Sequence, residues 1–182
     1  MTPRIAPIDP PYPPDVQAEF DKLMRGAPPL LFFRTLARNP RVLQRLVAGN
    51  LLDRGSVSLR VRELMILRTC ARCGAEYEWG VHIASFGAKA QWTEAEARST
   101  ARGGAGDPCW SVEEKLVIRL ADQLHDAVRV DDTLWGELSA RFAPEQLVEL
   151  VALAGLYRAV SCLVNALGVQ NEAFAPKFPS AA

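Results

Sequence analysis

The sequence predicts an all-α fold, and three observations carry that prediction. No stretch of four or more residues alternates apolar and polar with period two, and no Asn-Gly or Asp-Gly pair marks a hairpin. Prolines are segregated: six of the 13 fall in the first 14 residues, and only Pro108 lies between positions 41 and 143. That leaves a long middle free of helix breakers. Two capping boxes, Thr93-Glu94-Ala95-Glu96 and Ser111-Val112-Glu113-Glu114, announce helix N-termini.

The elements follow in order. Asp15 to Met24 forms a first helix with Val16, Phe20 and Leu23 on one side, and Gly26-Ala27-Pro28-Pro29 ends it. A short helix occupies Leu30 to Ala37. Asn39 caps a third helix, Pro40 sits in its first turn, and it runs to about Leu52. Ser58 caps a helix from Leu59 to about Arg72, Gly74 breaks or kinks the chain, and another helix covers Ala75 to Ala90. The capping boxes open Glu94–Arg102 and Val112–Val128, with Gly103-Gly104-Ala105-Gly106 in the loop between them. That loop lacks the Gly-Lys-Ser/Thr of a phosphate-binding loop. Asp132 begins a helix to Phe142, and Pro144 begins the last one, ending near Gly168. One domain spans 15–168, between a Pro-rich segment over 1–14 and an irregular tail over 169–182.

With 182 residues, 49% apolar and 23% charged, the chain is long enough to bury a core without disulfide or metal staples. Lys plus Arg equals Asp plus Glu at 21 each, so the formal charge is zero, which argues against nucleic-acid binding through a broad basic surface. The N-terminus lacks the apolar core of a secretory signal, and Cys70, Cys73, Cys109 and Cys162 do not form a secreted framework. A cytoplasmic protein with reduced thiols is expected. The run from Leu147 to Leu167 has the length of a membrane span but contains Glu149, Arg158 and Asn165. A central Arg costs roughly 2.5–3.5 kcal/mol in a bilayer, so no membrane partner is expected. This helix is apolar nearly all round, so it is either the central helix of the bundle or meets another subunit, and a homo-oligomer is expected.

Chemistry concentrates on two adjacent helices. Around Glu63, the positions at −4, +3, +4 and +7 are Leu59, Ile66, Leu67 and Cys70, all apolar. A carboxylate in such a stripe either pairs with an Arg of a neighbouring helix or lines a pocket. On the next helix Glu78 and His82 lie four apart, beside Trp79 and Phe86. This is either an ordinary helix-surface pair or an acid/base couple in which Glu78 orients the imidazole. Arg60, Arg62, Arg68 and Arg72 make the Leu59 helix basic, which suits a substrate carboxylate, and one of them can instead neutralise Glu63. Tyr157, Arg158 and Asn165 either turn polar groups into a pocket or form a buried network. His125, near Asp122 and Asp126, reads as a surface or subunit-contact histidine.

The stretch from Leu59 to Ala97 resembles the core motif of the carboxymuconolactone decarboxylase family, which includes the alkylhydroperoxidase D group. The matching elements are Arg62-Glu63-Leu64, then Glu76-Tyr77-Glu78-Trp79 with His82, then Thr93 with Glu96. The resemblance implies an alkylhydroperoxidase D-like helical bundle. Thiol peroxidases of that group carry a Cys-x-x-Cys whose second thiol lies four residues before the histidine; here Ala75 and Glu78 occupy those positions. The pattern is instead similar to the decarboxylase branch, whose enzymes remove CO2 from a carboxylated muconolactone without a cofactor. By that resemblance Glu63, Glu78 and His82 line the active site and no cofactor is needed. Arg68, Trp79 and Tyr157 are the expected contacts for a small-molecule substrate, an acidic lactone or related ring compound.

Two alternatives stand beside this reading. Cys70 and Cys73 form a Cys-x-x-Cys that can serve a thiol-dependent hydroperoxidase, with Arg72 lowering a thiol pKa. Their place at a helix C-terminus, and Cys70 in an apolar stripe, point instead to core residues. No metal is expected, since two thiols and His82 lack a ligand spacing and a fourth donor. The other alternative is a non-catalytic module that binds a small ligand or partner.

Overall fold

A computed structural model describes residues 3–180, so the outermost ends of the proline-rich segment and of the tail lie outside the described residues. Within them the chain is helical with no strand. The elements are α1 (Pro14–Met24), α2 (Leu31–Leu36), α3 (Pro40–Ala48), α4 (Leu59–Arg72), α5 (Glu76–Phe86), α6 (Glu94–Arg102), α7 (Val112–Ala127), α8 (Asp132–Ser139) and α9 (Pro144–Leu167). The caps are where the side-chain chemistry places them. Ser58 Oγ accepts from Val61 N at 3.2 Å and Asn39 Oδ1 from Val42 N at 3.4 Å. Both capping boxes form: Thr93 with Glu96, and Ser111 with Glu114.

Three helices end earlier than the sequence suggests. α3 stops at Ala48 rather than near Leu52, because Arg62 Nη1 captures the carbonyls of Leu52 (2.8 Å) and Asp53 (3.4 Å) and holds that stretch as a loop. α5 stops at Phe86, and α8 stops at Ser139. Gly74 joins α4 to α5 at φ +64°, a left-handed turn that an L side chain adopts only at a cost.

The core forms around α4, which packs against α5, α6, α7 and α9 and is buried without a break from Val61 through Cys70. α9 closes another side, with Leu147, Leu150, Leu153, Tyr157, Val160 and Val164 turned inward. Its length and hydropathy suffice for a membrane span, but 44% of its most apolar stretch is buried inside the fold. Helices α1–α3 pack mainly on one another and form a cap against α5 and α9.

Arginines of α4 meet carboxylates of α7 at a constant offset. Arg60 Nε lies 2.6 Å from Glu114, Arg68 Nε 2.7 Å from Asp122, and Arg72 Nη2 2.5 Å from Asp126, each pair 54 positions apart. A constant difference in number means the two helices run parallel, and the pairs form a ladder along their seam. Arg60 also bonds Glu96, so one guanidinium ties together the capping boxes of α6 and α7 while lying 4.4 Å over the Trp92 ring.

Candidate active site

The turn at Gly74 folds α5 back beside α4 and brings Glu63 against His82. Glu63 is fully buried, and its Oε2 accepts from His82 Nδ1 at 2.7 Å. Its Oε1 accepts from Arg62 Nε at 3.0 Å and Nη2 at 2.9 Å. With both oxygens acting as acceptors, the hydrogen of that imidazole bond must sit on Nδ1. The other ring nitrogen, Nε2, faces Glu78 Oε1 at 3.4 Å. Arg62, Glu63, His82 and Glu78 thus form one buried line of alternating charge.

His82 titrates high. Burial alone would lower its pKa, but hydrogen bonds to Glu63 and Glu78 and their charges outweigh burial and raise it to about 9. The imidazole is therefore protonated at neutral pH. It packs edge-on to Tyr157 (centroids 5.0 Å apart) and against Phe86. Glu78 sits in the first turn of α5, where the helix dipole favours an anion.

Glu78 and Tyr157 open onto a cavity of about 50 Å³ between the bundle and the cap. The cap contributes Phe32, Phe33, Leu46 and Val47, the loop after α3 contributes Asn50 and Leu52, and α9 adds Leu156 and Val160. Larger grooves exist elsewhere, such as one of about 640 Å³ between α8 and α9, but Glu63, Glu78 and His82 line none of those described.

The structure thus gathers Glu63, Glu78, His82 and Tyr157 and leaves two of the expected substrate contacts outside. Arg68 spends its guanidinium on Asp122 and on the carbonyls of Thr100 and Gly103. Trp79 donates to Thr100 Oγ1 at 2.9 Å and stacks near Phe178 of the tail. The basic face read on the Leu59 helix is not an open anion site, because Arg60, Arg62, Arg68 and Arg72 are all paired with carboxylates. The orienting role also differs from the sequence reading: Glu63 holds the imidazole through Nδ1, and Glu78 is the carboxylate at the cavity.

Cys70 is fully buried, and burial pushes its thiol well above the ordinary value. Cys73, 3.6 Å from His125 Nδ1, is also raised by burial. Peroxidatic chemistry needs the opposite shift. Sequence reasoning missed Asn50 and the aromatic wall of the cap, which only the packing of α1–α3 brings to the cavity.

No family model matches the sequence, and no curated protein matches it. Solved structures do. A cysteine-to-alanine variant of the debrominase Bmp8, in complex with 2,3,4-tribromopyrrole, superposes with a TM-score of 0.78 at 14% identity, over 96% of this chain and 94% of that one. An uncharacterized peroxidase-related protein from Silicibacter sp. TM1040 gives 0.79 at 13% identity over 93% of each chain. An alkylhydroperoxidase AhpD core protein from Ralstonia eutropha JMP134 gives 0.78 at 16% identity over 93% of each. The chain therefore has the alkylhydroperoxidase D-like fold. Within that fold it carries the line of Glu63, His82 and Glu78 described above.

Proposed function

We propose that the protein is a cofactor-independent acid/base enzyme acting on a small ring compound, with Glu78 exchanging protons with the substrate. The observation that carries this reading is the hydrogen-bonded line from Arg62 through Glu63 and His82 to Glu78, the carboxylate at the cavity wall. Glu63, held by Arg62, fixes the imidazole; His82 keeps a proton beside Glu78. In an isomerisation Glu78 takes a proton from carbon next to a carbonyl, the electron pair moves into the enolate, and the same proton returns at a different carbon. Decarboxylation with proton delivery, or hydrolysis of a lactone, uses the same groups in the same places. That another protein of this fold, Bmp8, binds 2,3,4-tribromopyrrole supports a small ring as the class of ligand.

The test is turnover on a panel of lactones and cyclic enones. Glu78→Gln and His82→Gln should each lower kcat by about 10²–10⁴-fold, the usual worth of positioned acid/base catalysis. The double variant Cys70→Ser/Cys73→Ser should retain activity. Activity that survives in Glu78→Gln, or disappears with the thiols, overturns the assignment.

A further inference from the structure

We infer that the cavity at Glu78 takes an uncharged, largely apolar ring compound carrying one hydrogen-bond acceptor, such as a cyclic ketone, enone or lactone, and that Tyr157 is the donor that receives it. This rests on the reading of Glu78 as the group that exchanges protons with the substrate, and it narrows that reading to isomerisation or hydrolysis by excluding the acidic rings that decarboxylation needs.

The polar inventory of the cavity is short. Among the described residues its lining holds Glu78, Tyr157 and Asn50, with no Lys, Arg or His. Arg62, the arginine that holds Glu63, has its nitrogens occupied by Glu63 and the carbonyls of Leu52 and Asp53. A ligand carboxylate would therefore lie against Glu78, with the His82 imidazolium behind that side chain and off the cavity wall, where it offsets only part of the repulsion. Two bare like charges about 4 Å apart at an effective dielectric of about 20 repel by on the order of a thousandfold in affinity, which is the upper bound here.

Tyr157 is the second observation. It is only 3% exposed, yet its hydroxyl makes no hydrogen bond among the described residues. The other buried tyrosine differs: Tyr77 Oη accepts from Phe32 N and donates to Glu172. Nor is Tyr157 Oη sealed in by its neighbours, as the partnerless Trp92 Nε1 is. Tyr157 is part of the cavity wall. A buried hydroxyl without a partner is costly, and a ligand acceptor at that point removes the cost. Burial first, and then the charge of Glu78, holds the phenol well above its ordinary pKa, so it serves as a donor and not as an anion. Tyr157 and Glu78 line the same cavity, so an acceptor held by the phenol and a proton exchanged with Glu78 belong to one bound ring. Asn50 Oδ1 is taken by Leu52 N, and its amide nitrogen is the second donor on the wall.

The cavity of about 50 Å³ is smaller than the roughly 150 Å³ that a benzene-sized guest occupies in a protein core, so a ring enters only when the cap moves outward.

The experiment uses nitrobenzene and benzoate, which share a shape and differ in charge, with binding to the full chain followed by ligand-observed NMR at neutral pH. Nitrobenzene should bind about 100-fold or more tighter than benzoate, and Glu78→Gln should bring the two within about tenfold. Tyr157→Phe should weaken cyclohex-2-enone about tenfold and leave cyclohexene unchanged. Benzoate binding as tightly as nitrobenzene, or binding of neither, overturns the inference, as does a Tyr157→Phe variant that binds the enone normally. Deuterium incorporation into cyclohex-2-enone in heavy water reads the proton-exchange role separately. Its absence alongside a clear nitrobenzene preference defeats the acid/base reading and leaves the ligand class standing. Incorporation with no such preference defeats the ligand class alone.

Discussion

At the residue scale, the chemistry rests on His82 being held between two carboxylates. Its pKa rises from 6.5 to about 9, so its favourable contribution to folding is fully present below 6.5 and is lost as pH climbs through about 9. Urea midpoints should accordingly fall across that window in the wild type. In Glu63→Gln, which removes the main partner, the fall should move toward 6.5. Turnover that depends on the imidazolium should decline over the same alkaline range, and a flat profile there would count against the relay. Glu63 was legible in the sequence as a carboxylate in an apolar stripe, and the four-residue spacing of Glu78 and His82 was legible as a shared face. Arg62 was not singled out as the partner of Glu63, because neighbours in sequence point to different faces of a helix. Only its long side chain, turned back along α4 and braced on the carbonyl of Leu52, makes that pair possible.

At the element scale, α4 shows what a single helix reveals and what it hides. Its cap at Ser58 and its end at Arg72 could be read directly, as could both capping boxes, because those contacts are local. The purpose of Arg60, Arg68 and Arg72 was hidden, because their carboxylates stand 54 positions away on α7. Arg68→Met tests their structural role. Breaking a buried pair costs about 3–5 kcal/mol, and the low end applies because Asp122 keeps Arg72 at 3.5 Å. Chemical denaturation should show a loss of about 3 kcal/mol, with the KM for any substrate of the Glu78 site unchanged.

At the scale of the whole molecule, the surface is larger than the mass requires. The chain exposes 9858 Å², against about 8,700 Å² expected for a folded monomer of 20.0 kDa. Part of the excess is apolar: Trp135, Val148 and Val151 remain exposed along α8 and α9 beside the groove of about 640 Å³. We propose that a second copy covers this face, at about 800 Å² per partner, the usual size of a stable interface. Sedimentation should show an oligomer that the pair Val148→Glu and Val151→Glu converts to monomer, and a monomeric wild type would refute it. The all-helical architecture was legible from prolines and caps, whereas the cap formed by α1–α3 was legible only as extra helices. The ladder between α4 and α7 adds a mechanical consequence. Slide α7 by one turn and two of the three rungs lose their partners, with Ile118 brought opposite an arginine. That seam behaves as a ratchet with one stable tooth, so the bundle is stiff against shear. The give required to admit a guest then falls to α1–α3, which pack mainly on one another, with the bundle as their frame.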